Sequence, residues 1–186
     1  MQRVTASLLA LCLISGAAAA QSMPSASAKL EDTNGNRVGS VELKQTANQG
    51  VWLAVKIDKL PPGEHAFHIH ETGKCAGDFK SAGGHYAPEG HKHGVLVEGG
   101  PHAGDIPNLH VPADGKLTVE IFAPNVSLKK GVANTLFDDD GSSFIVHEGA
   151  DDYKSQPSGA AGDRIACGVI SEGSSDRASL DQPTSE

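Results

Sequence analysis

The run Val51-Trp52-Leu53-Ala54-Val55-Lys56-Ile57-Asp58 puts Val51, Leu53, Val55 and Ile57 on one face. An apolar residue at every second position is the period of a strand with one face on a core and the other toward water. Lys116–Phe122 repeats the spacing, with Leu117, Val119 and Ile121 inward. Val38, Val41 and Leu43 predict another strand, whose period slips at Gly39-Ser40 as a bulge would make it. Ala26–Glu31 predicts its hairpin partner across Asp32-Thr33-Asn34-Gly35-Asn36, because Asn-Gly favours the tight turn that suits strand twist. Phe144-Ile145-Val146 and Ile165–Ile170 add short apolar strands near the end, and no stretch carries a helical stripe longer than two turns. The expected class is all-β, with about seven or eight short strands packed as a sandwich or closed barrel.

Composition agrees. Of 186 residues 22 are glycine, about 12% against a usual share of about 7%, which suits many turns between short strands. The length fits one domain of ordinary size. The net charge of -8, with no dense basic patch, excludes a binder of the nucleic-acid backbone. Three cysteines are too few for a small domain built on disulfides.

Met1–Ala20 has one cation at Arg3, an apolar run from Ala6 to Ile14, then Gly16 and the small residues Ala18-Ala19-Ala20. These are the parts of a cleaved export signal with cleavage after Ala20. At 17 residues, the uncharged stretch Val4–Ala20 is marginal for spanning about 30 Å of hydrocarbon. Cys12 is a poor lipidation site, since Leu11 precedes it where a small residue is wanted. Cleavage removes Arg3 and no acid, taking the net charge from -8 to −9, and removes Cys12. Cys75 and Cys167 then remain, which in an exported chain points to one disulfide, the alternative being two buried free thiols. The expected division is a signal peptide at 1–20, one domain at 21–170 and a tail at 171–186, polar enough to be disordered. Long connections are expected at Glu71–Pro112, Pro124–Ser143 and Asp151–Asp163. Structureless loops beyond about 15 residues are usually functional.

Nine histidines are the unusual count, eight of them between His65 and His110. In Phe67-His68-Ile69-His70 a strand places His68 and His70 on one face, about 6.6 Å apart along the chain, where two imidazoles can chelate one ion. A lone His-x-His is more often a surface or hydrogen-bonded pair; the company of further histidines raises this one. His85, His93, His102 and Asp105 offer three nitrogens and one oxygen, a closed donor set suited to structural zinc. His68, His70 and His147 would line one wall and leave an open face for a redox metal. His65 sits on the opposite strand face from His68, while His91 is a rival ligand or a solvated loop residue. His110 fits neither set.

The runs His65-Ala66-Phe67-His68-Ile69-His70-Glu71, Ala82-Gly83-Gly84-His85-Tyr86, Lys92-His93-Gly94, His102-Ala103-Gly104-Asp105, Val146-His147-Glu148 and Arg164-Ile165-Ala166-Cys167-Gly168-Val169-Ile170 resemble a bacterial, exported Cu,Zn superoxide dismutase. The order and spacing match over roughly Ala26 to Ile170. The resemblance implies a Greek-key, flattened barrel that disproportionates superoxide by alternating Cu(II)/Cu(I) redox. It implies copper on His68, His70, His85 and His147, and zinc on His85, His93, His102 and Asp105, one of each ion per subunit. His85 would be a bridging imidazolate, a costly anion that two dications stabilise, taking part in catalysis with Arg164. Asp151 corresponds to a carboxylate bonded to His68 and His93, fixing their rings; read alone, it is a solvated loop acid. Arg164 corresponds to a guanidinium beside the open copper position; read alone, it pairs with Asp163. Cys75 and Cys167 match the family's disulfide. The implied partner is superoxide, acting on a periplasmic monomer or homodimer without nucleic acid and without a membrane in the mature form.

Ala87 and Asp163 depart from the family pattern. Asp163 replaces a small neutral residue and would weaken attraction of an anion on an already acidic protein. The turn Asp138-Asp139-Asp140-Gly141 lacks the alternating spacing of a calcium loop. Two rivals share the histidines. A metal-storage module has no need of Arg164, and a zinc hydrolase needs a general base that the open site lacks.

Overall fold

The first hairpin is built by one side chain. Asp32 Oδ1 accepts from the backbone N–H groups of Asn34 (2.8 Å) and Asn36 (2.9 Å), and Oδ2 accepts from the Asn36 amide at 3.0 Å. That turn joins β1 (Ser25–Asp32) to β2 (Arg37–Gln45) in a computed structural model that describes residues 23–173. There follow β3 (Val51–Ile57), β4 (Gly63–His70), β5 (Asp105–Val111), β6 (Leu117–Ala123), β7 (Ser143–His147), β8 (Arg164–Val169) and β9 (Ser171–Glu172). Between β4 and β5 lies a short 3-10 turn, Lys80–Ala82. The strands pair antiparallel in the order β5-β4-β7-β8-β1-β2-β3-β6, with β9 beside β1. The jumps from β3 to β4 and from β6 to β7 are Greek-key crossovers. The two ends of the path, β5 and β6, follow each other in sequence, so the sheet rolls into a nearly closed barrel.

The core follows the period-2 reading. Val51, Leu53 and Val55 are wholly buried and Ile57 is 1% exposed, facing Leu30, Val41, Leu43, Phe67, Ile69, Phe144 and Val146 inside the barrel. β2 does carry an irregularity, but at Val38 and not at Gly39-Ser40: Ser40 and Gly39 pair in register with Lys29 and Leu30, and Glu31 then pairs with Arg37, leaving Val38 as the extra residue. Leu117, Val119 and Ile121 point inward as expected, but only half-buried. Their strand ends the hydrogen-bonded path, so no paired neighbour covers one flank.

Two expectations need correction. The connection Glu71–Pro112 is not all loop, because Asp105–Val111 forms β5. Pro107 and Asn108 interrupt its alternation, and its register against β4 slips between His65 and Phe67. An end strand tolerates the proline because its missing N–H costs no central ladder bond. At the other end, Ser171 and Glu172 pair with Ser27 and Ala26, so the ordered domain passes the boundary at residue 170. The signal peptide at 1–20 and the rest of the tail lie outside the described residues. Among the described residues no helix is long and apolar enough to cross a membrane.

Outside β7 and β8, a second apolar cluster of Phe79, Ala82, Ile145 and Cys167 lies beneath the loop after β4, with Cys75 packed against it. Cys75 and Cys167 form a disulfide, as the sequence suggested. It pins that loop to β8 across 92 residues of chain.

Candidate metal centre

Phe67 and Ile69 of β4 fill the barrel, so strand alternation turns His68 and His70 outward, under the loops. In β7, Phe144 and Val146 face the core and His147 ends the strand on the same outer side. His85 reaches them by an isolated bridge to His70. His68, His70, His85 and His147 each present a ligand atom, all within 4.8 Å of one another. A second group with the same spread comprises His85, His93, His102 and Asp105. His91 lies outside both, exposed and 3.5 Å from Glu89. His110 lies on the surface, 3.4 Å from Glu64 across the strands.

The ring nitrogens divide their work. His68 Nε2 donates to Asp151 Oδ2 at 2.9 Å, His70 Nδ1 to the Gly83 carbonyl at 3.0 Å and His147 Nδ1 to the Gly162 carbonyl at 3.2 Å. Their other nitrogens, His68 Nδ1, His70 Nε2 and His147 Nε2, are buried without a hydrogen-bond partner, and so is His85 Nε2. Four orphaned, converging imidazole nitrogens are costly unless something binds them. Each ring is aimed by a hydrogen bond on its far side, as metal-binding histidines usually are. The residues therefore fit a metal ion.

His85 belongs to both groups. Its Nε2 faces the first, while its Nδ1 lies 2.9 Å from Asp105 Oδ1 in the second. His93 Nδ1 lies 3.0 Å from the same oxygen, and the buried, unpartnered His102 Nδ1 lies 3.4 Å away. Asp105 Oδ2 accepts from the backbone N–H groups of Gly94 (2.8 Å) and His102 (3.0 Å), which fixes the carboxylate. Asp151, only 3% exposed, links the groups: Oδ2 accepts from His68 and Oδ1 from His93 Nε2 at 3.0 Å. It is no solvated loop acid. Gly159 lies over this carboxylate with φ +72°, and a Cβ there would sit 1.8 Å from Oδ1.

Electrostatics keep the rings ready to ligate. Burial, reinforced by His85, lowers the pKa of His70 to about 2. Burial lowers His85 and His147 to about 4, each helped by His68. At neutral pH these imidazoles are neutral and offer lone pairs. Burial pushes Asp105 upward, but the close imidazoles of His102 and His85 and the N–H of Gly94 outweigh it and hold the carboxylate well below its ordinary range. Asp151 likewise falls to about 2, with burial outweighed by bonds from His68, Tyr153 and His93.

Arg164 opens β8 opposite His147. Its Nη1 donates to the Phe79 carbonyl (2.6 Å) and its Nη2 to the Gly83 carbonyl (2.7 Å), not to Asp163. A cavity of about 420 Å³ beside Arg164 is lined by Thr33, Asp78, Lys80, Gly162, Asp163 and Arg164.

Sequence reasoning left three supporting residues without a role. His65, 3% exposed, has Nδ1 2.8 Å from the His147 carbonyl and Nε2 2.9 Å from the Pro61 carbonyl, so it holds the backbone of a ligand. Asn108 donates to the Asp151 carbonyl (3.0 Å) and accepts from the Asp151 N–H (2.9 Å). Gln156 treats the His93 peptide the same way. Closeness to the ligand histidines was the one sequence signal for His65; the two amides carry none.

An antiparallel barrel whose outer wall holds one buried and one partly buried donor set sharing one imidazole has the build of a dinuclear metalloprotein. Residues 37–170 match the copper/zinc superoxide dismutase (SODC) family, and the chain belongs to it. It is 50% identical over 145 residues to superoxide dismutase [Cu-Zn] 1 of Aquifex aeolicus, covering 77% of this chain and 85% of that protein. With superoxide dismutase [Cu-Zn] of Escherichia coli K12 it shares 35% identity over 180 residues, covering 91% and 99%. Among solved structures, a SOD-like protein from Bacillus subtilis superposes with a TM-score of 0.74 at 44% identity, over 77% of this chain and 96% of that one. The Cu/Zn superoxide dismutase from Brucella abortus gives 0.63 at 34% identity, over 78% and 98%.

Proposed function

We propose that the chain converts two superoxide anions and two protons into O₂ and H₂O₂, with copper at His68, His70, His85 and His147. Zinc takes His85, His93, His102 and Asp105, one ion of each kind per chain. The observation that carries the reading is His85, whose two ring nitrogens face the two donor sets. An all-imidazole set suits copper, and three imidazoles with one carboxylate suit a closed zinc site. Copper, when bound, supplies one-electron exchange in both directions.

The chain's own groups do the rest. Arg164 spends two N–H donors on the Phe79 and Gly83 carbonyls, and its remaining donors are available to hold a small anion. On an acidic protein this local positive charge offsets a field that repels the substrate. His85 Nε2 is the place where a proton for the peroxide product is held. Asp151 keeps His68 and His93 in one tautomer. The leader 1–20 would deliver the domain to the periplasm, where the Cys75–Cys167 disulfide persists; the active form is a monomer or a homodimer.

The test is superoxide consumption by the copper- and zinc-loaded chain, the copper-stripped chain and the His85→Ala variant. Turnover is expected for the first and loss of it for the other two. Full turnover without copper would overturn the reading, and metal uptake without turnover would favour storage.

A further inference from the structure

Gln156 stands on the loop that carries Asp151, and its side-chain amide is spent on one residue. Its Oε1 accepts from the His93 N–H at 3.0 Å, and its Nε2 donates to the His93 carbonyl at 2.8 Å and to the Lys154 carbonyl at 3.0 Å. The His93 ring is fixed separately, by Asp151 on Nε2 and by the Asp105 side of the second donor set on Nδ1. His93 is thus gripped at ring and backbone by residues five positions apart on one loop. The neighbouring contact is equally close: a Cβ on Gly94, φ +96°, would lie 2.1 Å from the Tyr153 carbonyl oxygen. The Gln156 amide holds both the N–H and the carbonyl of His93, and from the other side Asp105 Oδ2 accepts from the Gly94 N–H of the His93–Gly94 peptide at 2.8 Å. Gln156 as a whole is exposed, so truncating it opens no cavity.

We infer that Gln156 is a positioning residue for the second metal set: by clamping the His93 peptide it fixes where Nδ1 points and so sets zinc affinity. This rests on the reading that zinc occupies His85, His93, His102 and Asp105. Water can replace each lost hydrogen bond, but it cannot hold the peptide in place. Partners that orient a ligand rather than bind the ion commonly govern affinity by ten- to a hundredfold, and an exposed clamp belongs at about the lower limit.

The test uses the full chain with zinc, and with cobalt(II) as a coloured substitute, competing against a chelator. Gln156→Ala should weaken binding at this set by roughly tenfold and shift the cobalt absorption bands, while copper affinity and the thermal midpoint of the metal-free chain stay unchanged. Gln156→Glu should bind no better than the alanine variant, because its second oxygen faces the His93 and Lys154 carbonyls where the amide donated. Wild-type affinity and spectrum in either variant would overturn the inference, as would equal weakening at both metal sets. If the unaltered chain takes up neither zinc nor cobalt at this set, the site reading falls with it, whereas normal uptake by the unaltered chain and the variants alike removes only the role of Gln156.

Discussion

The two sides of the barrel are built from the same kind of strand and finished differently. On β1 and β3 every second residue is buried and its neighbours lie open or half-open, so one face packs and the other meets water. On β4 every residue from His65 to His70 is buried, and on β7 so is every residue from Ser143 to His147. Loops account for the difference, covering the outer wall of β4, β7 and β8. Polar groups on a covered wall need partners, and here those groups are His68, His70 and His147. The cover is also where the backbone is strained: Asp78, Phe79, Tyr153 and Ala160, the non-glycine residues with positive φ among the described residues, all lie in it. Such conformations cost about 1–3 kcal/mol each and persist where surrounding contacts over-determine them, typically at functional sites. The open side supplies stability; the covered side turns it into placement.

The comparison breaks most visibly at the disulfide. Replacing Cys75 and Cys167 by serine releases the cover from β8 and leaves the open side intact. For a closed loop of this length, chain entropy implies a loss of about 4 kcal/mol in unfolding free energy, read in urea without reductant. A loss below about 1 kcal/mol would mean that the Phe79–Ile145 cluster holds the loop alone.

Next in size is Asp151→Asn. An amide keeps one acceptor for His68 or His93 but turns an N–H toward the other ring, so both metal sets should weaken, by about ten- to a hundredfold in a chelator competition. Weakening at one set alone would show that they are independent.

Acid sharpens the contrast by degrees, because β1, β2, β3 and β6 hold no histidine. In the metal-free chain, His70 at about 2 and His85 and His147 at about 4 refuse protons that the unfolded chain accepts below its ordinary value of 6.5. Stability from these groups is therefore complete above pH 6.5 and falls as pH drops toward 4. Asp105 and Asp151, held below 3.8, add a further loss as pH falls through that value. The thermal midpoint of the metal-free chain should decline from pH 7 to pH 4.5; a flat midpoint would contradict these assignments.

The open side was legible because one face packs and one is wet: Val51 to Ile57 declares its strand, and Asn34-Gly35 its turn. Strand β5 was not, since Pro107 and a slipped register erase the alternation that identifies an end strand. At the metal sets, residue type and spacing were enough to gather His85, His93, His102 and Asp105. What spacing does not carry is the far side of each ring. His65 and Asn108 act through carbonyls and N–H groups, and a backbone partner leaves no trace in residue identity.

The central claim is that one imidazole faces two different metals. It is tested most directly by diffraction from crystals of the copper- and zinc-loaded chain, recorded at both absorption edges. The expected result is a copper peak at His85 Nε2 among His68, His70 and His147, and a zinc peak at His85 Nδ1 among His93, His102 and Asp105. A single peak, or two metals that both lie away from His85, would contradict it.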